Sequence, residues 1–254
     1  MLANRKIKTA LWLVIILAIL GSHTISYADE QSPDAGIDAI AAWINQVRSQ
    51  NNLQAIIIDS KLNKIAAAHS RNMADNDLLG VNDTVSGTPF ERIGSAGLTD
   101  INNLVVVARA SDPGLLLEQL ESQESLEKIL SPEMTHAGVG IESDPENNLW
   151  LTIHMTERAI SFTRFRLSQS NAVPAKRSIT IRGNTAYKRI KVIMFPPEGI
   201  MQDLDLEHIT VPGSNGDFEI ALSFGISTGC FEFEFYVLKE GEYKLKNSFS
   251  MDVL

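Results

Sequence analysis

The sequence predicts an α+β protein in which a helical first half is followed by a β-rich second half. From residue 33 to about residue 130, apolar residues recur with the period of an α-helix. Between residues 137 and 155 the pattern changes to two short apolar runs, and beyond residue 158 only short alternating runs follow. Helices in one part of a chain and antiparallel strands in another are typical of this fold class or of two separate domains.

Two amphipathic helices begin the helical half. The first is predicted to start at Ser32-Pro33 or Asp34 and to end at Asn51-Asn52, with one apolar face formed by Ile37, Ile40, Ala41, Ile44 and Val47. The second is predicted to start at Asp59 or Ser60 and to stop at Gly80, with one face formed by Leu62, Ile65, Ala66, His69 and Met73.

Two shorter helices and a pair of strands complete this half. Asp112-Pro113 predicts the start of a helix through Leu120, and Ser125 is predicted to cap a last short helix before Pro132. Residues 137–141 and 149–155 are predicted as two strands joined by a turn at residues 144–148.

The second half is predicted to be an all-β domain. Its short alternating runs are separated by turn signals and cover residues 160–167, 178–181, 189–195, 208–211, 218–222, 231–238 and 243–253. About seven strands in ~95 residues is the number expected for an immunoglobulin-like β-sandwich. The sequence lacks the Cys…Trp…Cys core of antibody domains, so only the architecture is predicted. The single cysteine, Cys230, is expected to be a buried structural thiol.

The N-terminus predicts export. Arg5, Lys6 and Lys8 precede an apolar run over residues 10–20, and the small residues Ser26 and Ala28 stand at positions −3 and −1 of a cleavage site. We therefore predict a signal peptide over residues 1–28, which would place the mature chain in the periplasm or outside the cell with no stable membrane span. An uncleaved membrane anchor is the alternative, although the apolar run is shorter than the ~20 residues that cross a membrane.

Charge is divided unevenly between the two predicted domains, residues 34–157 and 158–254. The whole chain carries 22 Lys+Arg against 31 Asp+Glu, and residues 29–157 alone carry 7 against 20. Residues 158–254 carry 12 against 11. Nine of those cations, beginning with Arg158, lie in residues 158–191, which contain no acidic residue, and five of the nine define a basic stripe: Arg164, Arg166, Arg182, Arg189 and Lys191.

The basic stripe has three interpretations. It docks against the acidic first domain, it meets an anionic envelope polymer or lipid head group, or it consists of scattered solvated charges. Export and the net negative charge argue against nucleic acid as a partner.

Four motifs in the first half resemble a known family. Residues 40–48 contain N-x-x-R as Asn45 and Arg48, and a leucine and Ile58-Asp59 follow. Residues 62–74 read L-x-x-x-A-x-x-H-S-x-x-M-A, residues 88–92 read T-P-F-E-R, and residues 129–140 run from I-L-S-P to G-V-G. In this order and spacing the motifs resemble the CAP superfamily in its bacterial, SCP-like form. The resemblance covers residues ~36–157 and implies a CAP-like α-β-α sandwich ahead of the β domain.

The resemblance implies the CAP fold, but the residues at the family's functional positions argue against a metal-dependent or hydrolytic activity. Family members line a cavity with two His and acidic residues, proposed in various members as a metal-binding or hydrolytic site. At the aligned positions this chain reads Leu79-Gly80-Val81, Ile101-Asn102-Asn103-Leu104 and Glu124-Ser125-Leu126. Val, Asn, Ser and Leu do not ionise near neutral pH to bind a metal or to move a proton.

The remaining candidates for lining a ligand-binding cavity are His69, Asn102, Ser125 and His154. A hydrogen-bonded core residue is the competing interpretation for both histidines. No Cys/His set has the spacing of a metal site, no Gly-rich phosphate loop follows a strand, and no serine has a nucleophile-elbow context. The sequence therefore predicts no catalytic residue, no metal and no cofactor.

Together these observations favour a non-catalytic binding or adhesion module at the cell envelope, whose partner is an unknown envelope ligand or protein. The alternative is a metal-dependent or peptidase-like hydrolase of the same superfamily. Stoichiometric zinc binding would distinguish the two.

Overall fold

The structure is a computed structural model that describes residues 33–83, 85–169, 177–197, 207–225 and 227–253. The predicted signal peptide, residues 1–28, lies outside the described residues, as does the cleavage site. Among the described helices, none has the length and apolar character needed to cross a bilayer.

Five helices and eleven strands are described. The helices are α1 (Pro33–Gln50), α2 (Ser60–Asn76), α3 (Pro89–Ser95), α4 (Pro113–Leu120) and α5 (Gln123–Ile129). The strands of the first half are β1 (Ile57–Ile58), β2 (Asn103–Ala110), β3 (His136–Ser143) and β4 (Leu149–Thr156). Those of the second half are β5 (Ile160–Gln169), β6 (Arg177–Thr185), β7 (Ile190–Phe195), β8 (Glu207–Thr210), β9 (Asp217–Gly225), β10 (Gly229–Lys239) and β11 (Glu242–Val253). The predicted α+β class with an all-β second half is confirmed.

The first half is a three-layer sandwich around one four-stranded sheet of order β1-β3-β4-β2. Alternation along β4 places Leu151, Ile153 and Met155 in a core shared with α1, α4 and α5. The opposite face carries Thr152, which accepts a hydrogen bond from Ser70 of α2 at 2.9 Å. The sheet is therefore covered by helices on both sides.

Local capping chemistry explains most helix ends. The Asp59 carboxylate accepts from the backbone N–H groups of Lys61 and Leu62, so α2 begins where Asp59 predicts. It ends before the predicted stop at Gly80, because Asp77 adopts a left-handed conformation (φ 50°) and its N–H closes the last turn. Ser122 rather than Ser125 caps α5, and the Ser125 N–H donates to it.

The structure adds three elements that the sequence patterns did not predict. Strand β1 has two residues and pairs with β3. Helix α3 has a capping box in which Thr88 and Glu91 bond each other's backbone N–H groups. Strand β2 is paired with β4 along its whole length. A two-residue strand, a two-turn helix and a strand that is buried or partly buried at every residue have no clear period, which is why the pattern did not separate them from loop.

The second half contains all seven predicted strands in two sheets, of order β5-β6-β9 and β11-β10-β7-β8. The inner faces share one core, in which the rings of Phe231, Phe233 and Phe235 are fully buried. Because Cys230 lies one residue out of step with these rings, it is exposed, and the prediction of a buried thiol is wrong.

Hydrogen bonds join the two halves at the edge of β11. The Ile101 N–H donates to the Lys246 carbonyl at 3.2 Å, and the Ser248 N–H donates to the Thr99 carbonyl at 3.1 Å. Residues 99–101 therefore extend the second-half sheet by a short bridge. Residues 36–254 form one compact unit.

Candidate functional site

Two of the four predicted cavity residues, His69 and His154, lie close together in the first domain. His69 projects from α2 and His154 from the β4 face that α2 covers. Both side chains are fully buried. The charge of His69 contributes to the low pKa of His154, which places the two rings in one electrostatic environment.

The ring of His69 is held by two acceptors. Its Nδ1 lies 3.0 Å from Asp83 Oδ2, and its Nε2 lies 2.9 Å from the Gly80 carbonyl oxygen. Burial and the nearby Arg92 charge lower the pKa of His69, although its hydrogen bonds to Asp83 and to the Gly80 carbonyl favour the protonated ring. Although burial opposes it, hydrogen bonds from Ser86, His69 and Val85 hold the pKa of Asp83 well below its usual range.

Arg92 completes this cluster from α3. Its guanidinium donates to the carbonyls of Gly87 and Val81, each at 2.8 Å, and lies 3.7 Å from the Asp83 carboxylate. We call His69, Asp83 and Arg92 the loop anchor, because His69 and Arg92 bind three carbonyls of the segment between α2 and α3, and Asp83 of that segment contacts both side chains. The anchor is a buried polar network with a structural task.

His154 differs from His69 because neither of its ring nitrogens has a hydrogen-bond partner among the described residues. Burial, reinforced by the charges of Arg92 and His69, lowers its pKa to about 3. The ring is therefore neutral over the physiological range. It can donate or accept a proton only if the domain opens.

We expect acid to destabilise the first domain through His154. In the unfolded chain the ring titrates near ~6.5, whereas the folded protein keeps it neutral down to about pH 3. Between these values the unfolded state binds the extra proton, so this stability is fully present above pH ~6.5 and is lost as the pH falls toward 3. The loss from pH 7 to pH 5 should be about 2 kcal/mol.

Urea unfolding of residues 29–254 at pH 7 and pH 5 measures this loss. His154→Leu should show about 2 kcal/mol less pH dependence than wild type. Burial also lowers the pKa of His136 to about 4, so His136→Leu combined with His154→Leu should reduce the dependence further. An unchanged dependence in His154→Leu would show that its folded-state pKa is not lowered.

The other two predicted cavity residues lie elsewhere. Ser125 is exposed in the first turn of α5, where its hydroxyl contacts that of Ser122. The Asn102 side-chain amide donates to Glu133 at 3.1 Å and to Glu157 at 2.8 Å. Asn102 thus belongs to the joint between the two domains and not to the histidine pair.

That joint contains a concavity of about 510 Å³, which we call the interdomain cleft. Its walls include Glu133, Glu157, Arg158, Ala186, Tyr187 and Lys239. A second concavity, of about 640 Å³, lies between the α3 end of the first domain and strands β10 and β11, with Phe90 and Phe249 in its lining.

Arg158, the first of the nine cations in residues 158–191, joins the domains together with Lys239 and Lys246, whereas the five residues of the basic stripe lie elsewhere. Arg158 bridges Asp59 at 2.7 Å and Asp100 at 3.2 Å. Lys246 lies 2.7 Å from Glu157, and Lys239 lies 2.9 Å from Glu133. Sequence reasoning missed these pairs, because their members are 58 to 106 residues apart.

The basic stripe is divided between the two sheets of the second half. Arg164 and Arg182 are directly opposite each other on β5 and β6, and Arg182 also pairs with Glu219 at 2.7 Å. Arg189 is exposed just before β7, and Lys191 pairs with Glu207 at 3.0 Å. The side chain of Arg166 lies outside the described part of the structure.

No group of three or more His, Cys, Asp or Glu residues among those described is arranged to hold a metal ion.

Comparisons with solved structures give low similarity. An extracellular protein containing an SCP domain from Bacillus anthracis is 21% identical with a TM-score of 0.45; the match covers 51% of this chain and 45% of that one. An outer surface protein from Borrelia burgdorferi is 15% identical with a TM-score of 0.47; the match covers 51% of this chain and 97% of that one. A cysteine-rich secretory protein from Staphylococcus aureus is 15% identical with a TM-score of 0.40; the match covers 53% of this chain and 44% of that one.

A comparison with curated proteins gives no match. The family model named CAP, the cysteine-rich secretory protein family, matches residues 42–155, which contain α2 to α5, β1 to β3, the second half of α1 and most of β4. The chain therefore contains a CAP domain at residues 42–155.

Proposed function

We propose that the mature chain is an exported, non-catalytic binding or adhesion module that acts at the cell envelope, in the periplasm or outside the cell. The observation that carries this proposal is the state of the two CAP-domain histidines. His69 has its two ring nitrogens engaged by Asp83 and by the Gly80 carbonyl, and His154 is fully buried and neutral. Side chains placed in this way support packing, whereas proton transfer needs an accessible group.

An exposed apolar loop supports a binding role. Five large apolar side chains, exposed by 37 to 80%, lie between residues 78 and 90: Leu78, Leu79, Val81, Val85 and Phe90. An exposed cluster of this kind is typical of an interaction surface. The hydrogen bonds of the loop anchor fix the backbone of this segment, so less conformational entropy is lost when a partner binds.

Adhesion is tested by sedimenting the mature chain with an envelope fraction. Val85→Asp should reduce the bound fraction at least fivefold, because it places a charge at the most exposed apolar position. Leu115→Asp is the matched control, because Leu115 is also exposed but lies on α4. Equal loss in the two variants, or no loss in Val85→Asp, would contradict the role of the loop.

The second domain adds two further proposals. Its strand order, with three strands in one sheet and four in the other, supports an immunoglobulin-like sandwich. Arg182 is already balanced by Glu219, and the exposed Arg164 opposite it supports contact with an anionic polymer. Binding that disappears at high salt would support that contact.

A hydrolase is the second candidate, favoured by the contact between His69 and Asp83. An imidazole paired with a carboxylate is the arrangement that a general base requires. For a metal-dependent enzyme of this type, calorimetry of the mature chain with zinc chloride should give one bound ion per chain. We expect no stoichiometric binding, and one zinc per chain would replace the binding proposal with the hydrolase.

A further inference from the structure

The interdomain cleft has the size of a small-molecule site and is built by both domains. Its volume of about 510 Å³ lies within the range of ~300–1,000 Å³ that is usual for ligand pockets. The first domain contributes Glu133 and Thr135, and the second contributes Tyr187 and Lys239. The site is incomplete without either domain.

The positive charges at the cleft are already balanced by carboxylates, so the cleft does not favour an anionic ligand. The three cations of the joint, Arg158, Lys239 and Lys246, are each paired with a carboxylate within 3.2 Å. Four carboxylates face these three cations: Asp59, Asp100, Glu133 and Glu157. The local balance is therefore slightly negative, which disfavours a phosphate or carboxylate polymer in this cleft.

The cleft nevertheless keeps hydrogen-bonding capacity. Arg158 Nη2 is buried and has no hydrogen-bond partner among the described residues, although Arg158 lines the cleft. Glu133 is 43% exposed and keeps acceptor positions beyond those taken by Asn102 and Lys239. An unsatisfied buried donor is costly unless a ligand or a water accepts from it.

An aromatic ring stands beside these polar groups. Tyr187 is half-buried, packs against the second-domain core and also lines the cleft. Its hydroxyl lies 3.4 Å from Glu157 Oε1. An apolar ring next to fixed donors and acceptors suits a ligand that has an apolar face and a hydroxylated rim.

We propose that the interdomain cleft binds an uncharged oligosaccharide segment, as found in extracytoplasmic glycans. A sugar ring lies against Tyr187 and its hydroxyls donate to Glu133, while a shift of the Arg158 side chain brings its buried Nη2 within reach of the sugar oxygens. Neutral hydroxyls supply both donors and acceptors without disturbing the paired charges. This inference deepens the proposed binding function and rests on it.

Isothermal titration of the mature chain with N-acetylglucosamine tetrasaccharide and with maltotetraose tests the proposal, with poly-L-glutamate as the anionic probe. At least one saccharide should bind saturably, and poly-L-glutamate should not displace it. Tyr187→Ala should weaken binding at least tenfold, whereas Tyr236→Ala, a half-buried tyrosine of β10 outside the cleft lining, should leave it unchanged.

A second variant guards against misfolding of Tyr187→Ala. Ala186 is exposed and lines the cleft, so Ala186→Trp should fill the space and abolish binding with the fold intact. Absence of saturable binding by both saccharides, or wild-type binding in Ala186→Trp, would overturn the proposal. That failure would leave the proposed non-catalytic module standing, since sedimentation with an envelope fraction and calorimetry with zinc test that proposal separately.

Discussion

Replacing Gly140 with alanine is expected to destabilise the CAP domain by about 3 kcal/mol, the upper end of the usual cost of overpacking. A Cβ at this position would lie within 3.0 Å of the backbone of Ala66 and Ala67 in α2. The helix cannot move away freely, because Ser70 donates to the Gly140 carbonyl at 2.9 Å and Asn63 accepts from the Val139 N–H at 2.9 Å. Urea unfolding of residues 29–254 measures the change.

Gly94→Ala is the matched control for Gly140→Ala. Gly94 lies within α3, and nothing stands within 4 Å of a Cβ placed there. Alanine should be neutral at this position or stabilise the helix by about 0.5–1 kcal/mol. An unfolding midpoint for Gly140→Ala equal to that of wild type would show that α2 does not rest on β3 as described.

Replacing Arg48 with methionine is expected to cost at least about 3 kcal/mol, because it leaves buried carbonyls unsatisfied. Arg48 is 1% exposed, and its guanidinium donates to four backbone carbonyls, those of Gln54, Ile129, Ser131 and Met134, at 2.7–3.1 Å. It therefore ties the end of α1 to the segment that leads into β3. Methionine fills a similar volume and supplies no donor.

Arg71→Met distinguishes the loss of these bonds from the loss of a charge. Arg71 has a side chain that is 65% exposed and pairs with Glu142 at 2.6 Å on the surface. Its removal should change the free energy of unfolding by less than about 1 kcal/mol. If the two variants unfold at the same urea concentration, the four carbonyl contacts of Arg48 do not stabilise the fold.

These predictions assign physical tasks to the motifs that resemble the CAP superfamily. Asn45 bonds both the N–H and the carbonyl of Ile56, and Arg48 binds the carbonyls before β3. Asp59 caps α2. Gly138 and Gly140 have no Cβ, which allows the backbone of α2 to pack closely against β3. The matching residues thus have structural roles in this chain, which is why the resemblance predicted the fold better than it predicted the functional site.

The sequence predicted the functional site less well than it predicted the fold. His69 and His154 come together because α2 covers one face of β4, but the partners of His69 come from a loop of no regular period. Asn102 and Ser125 were chosen by alignment and lie apart from the histidines. The interdomain cleft was not predicted, because its walls belong to segments that no local pattern connects.

The sequence by itself determined the α+β class, the seven strands of the second half, the start of α2 at Asp59 and the uneven division of charge. These features depend on residues that are neighbours in the chain, so period, capping and composition report them directly. Only the tertiary structure decided that Arg158 and Lys246, rather than the basic stripe, meet the acidic first domain. Which charges pair across 58 to 106 residues depends on how two cores pack, and no local pattern records that.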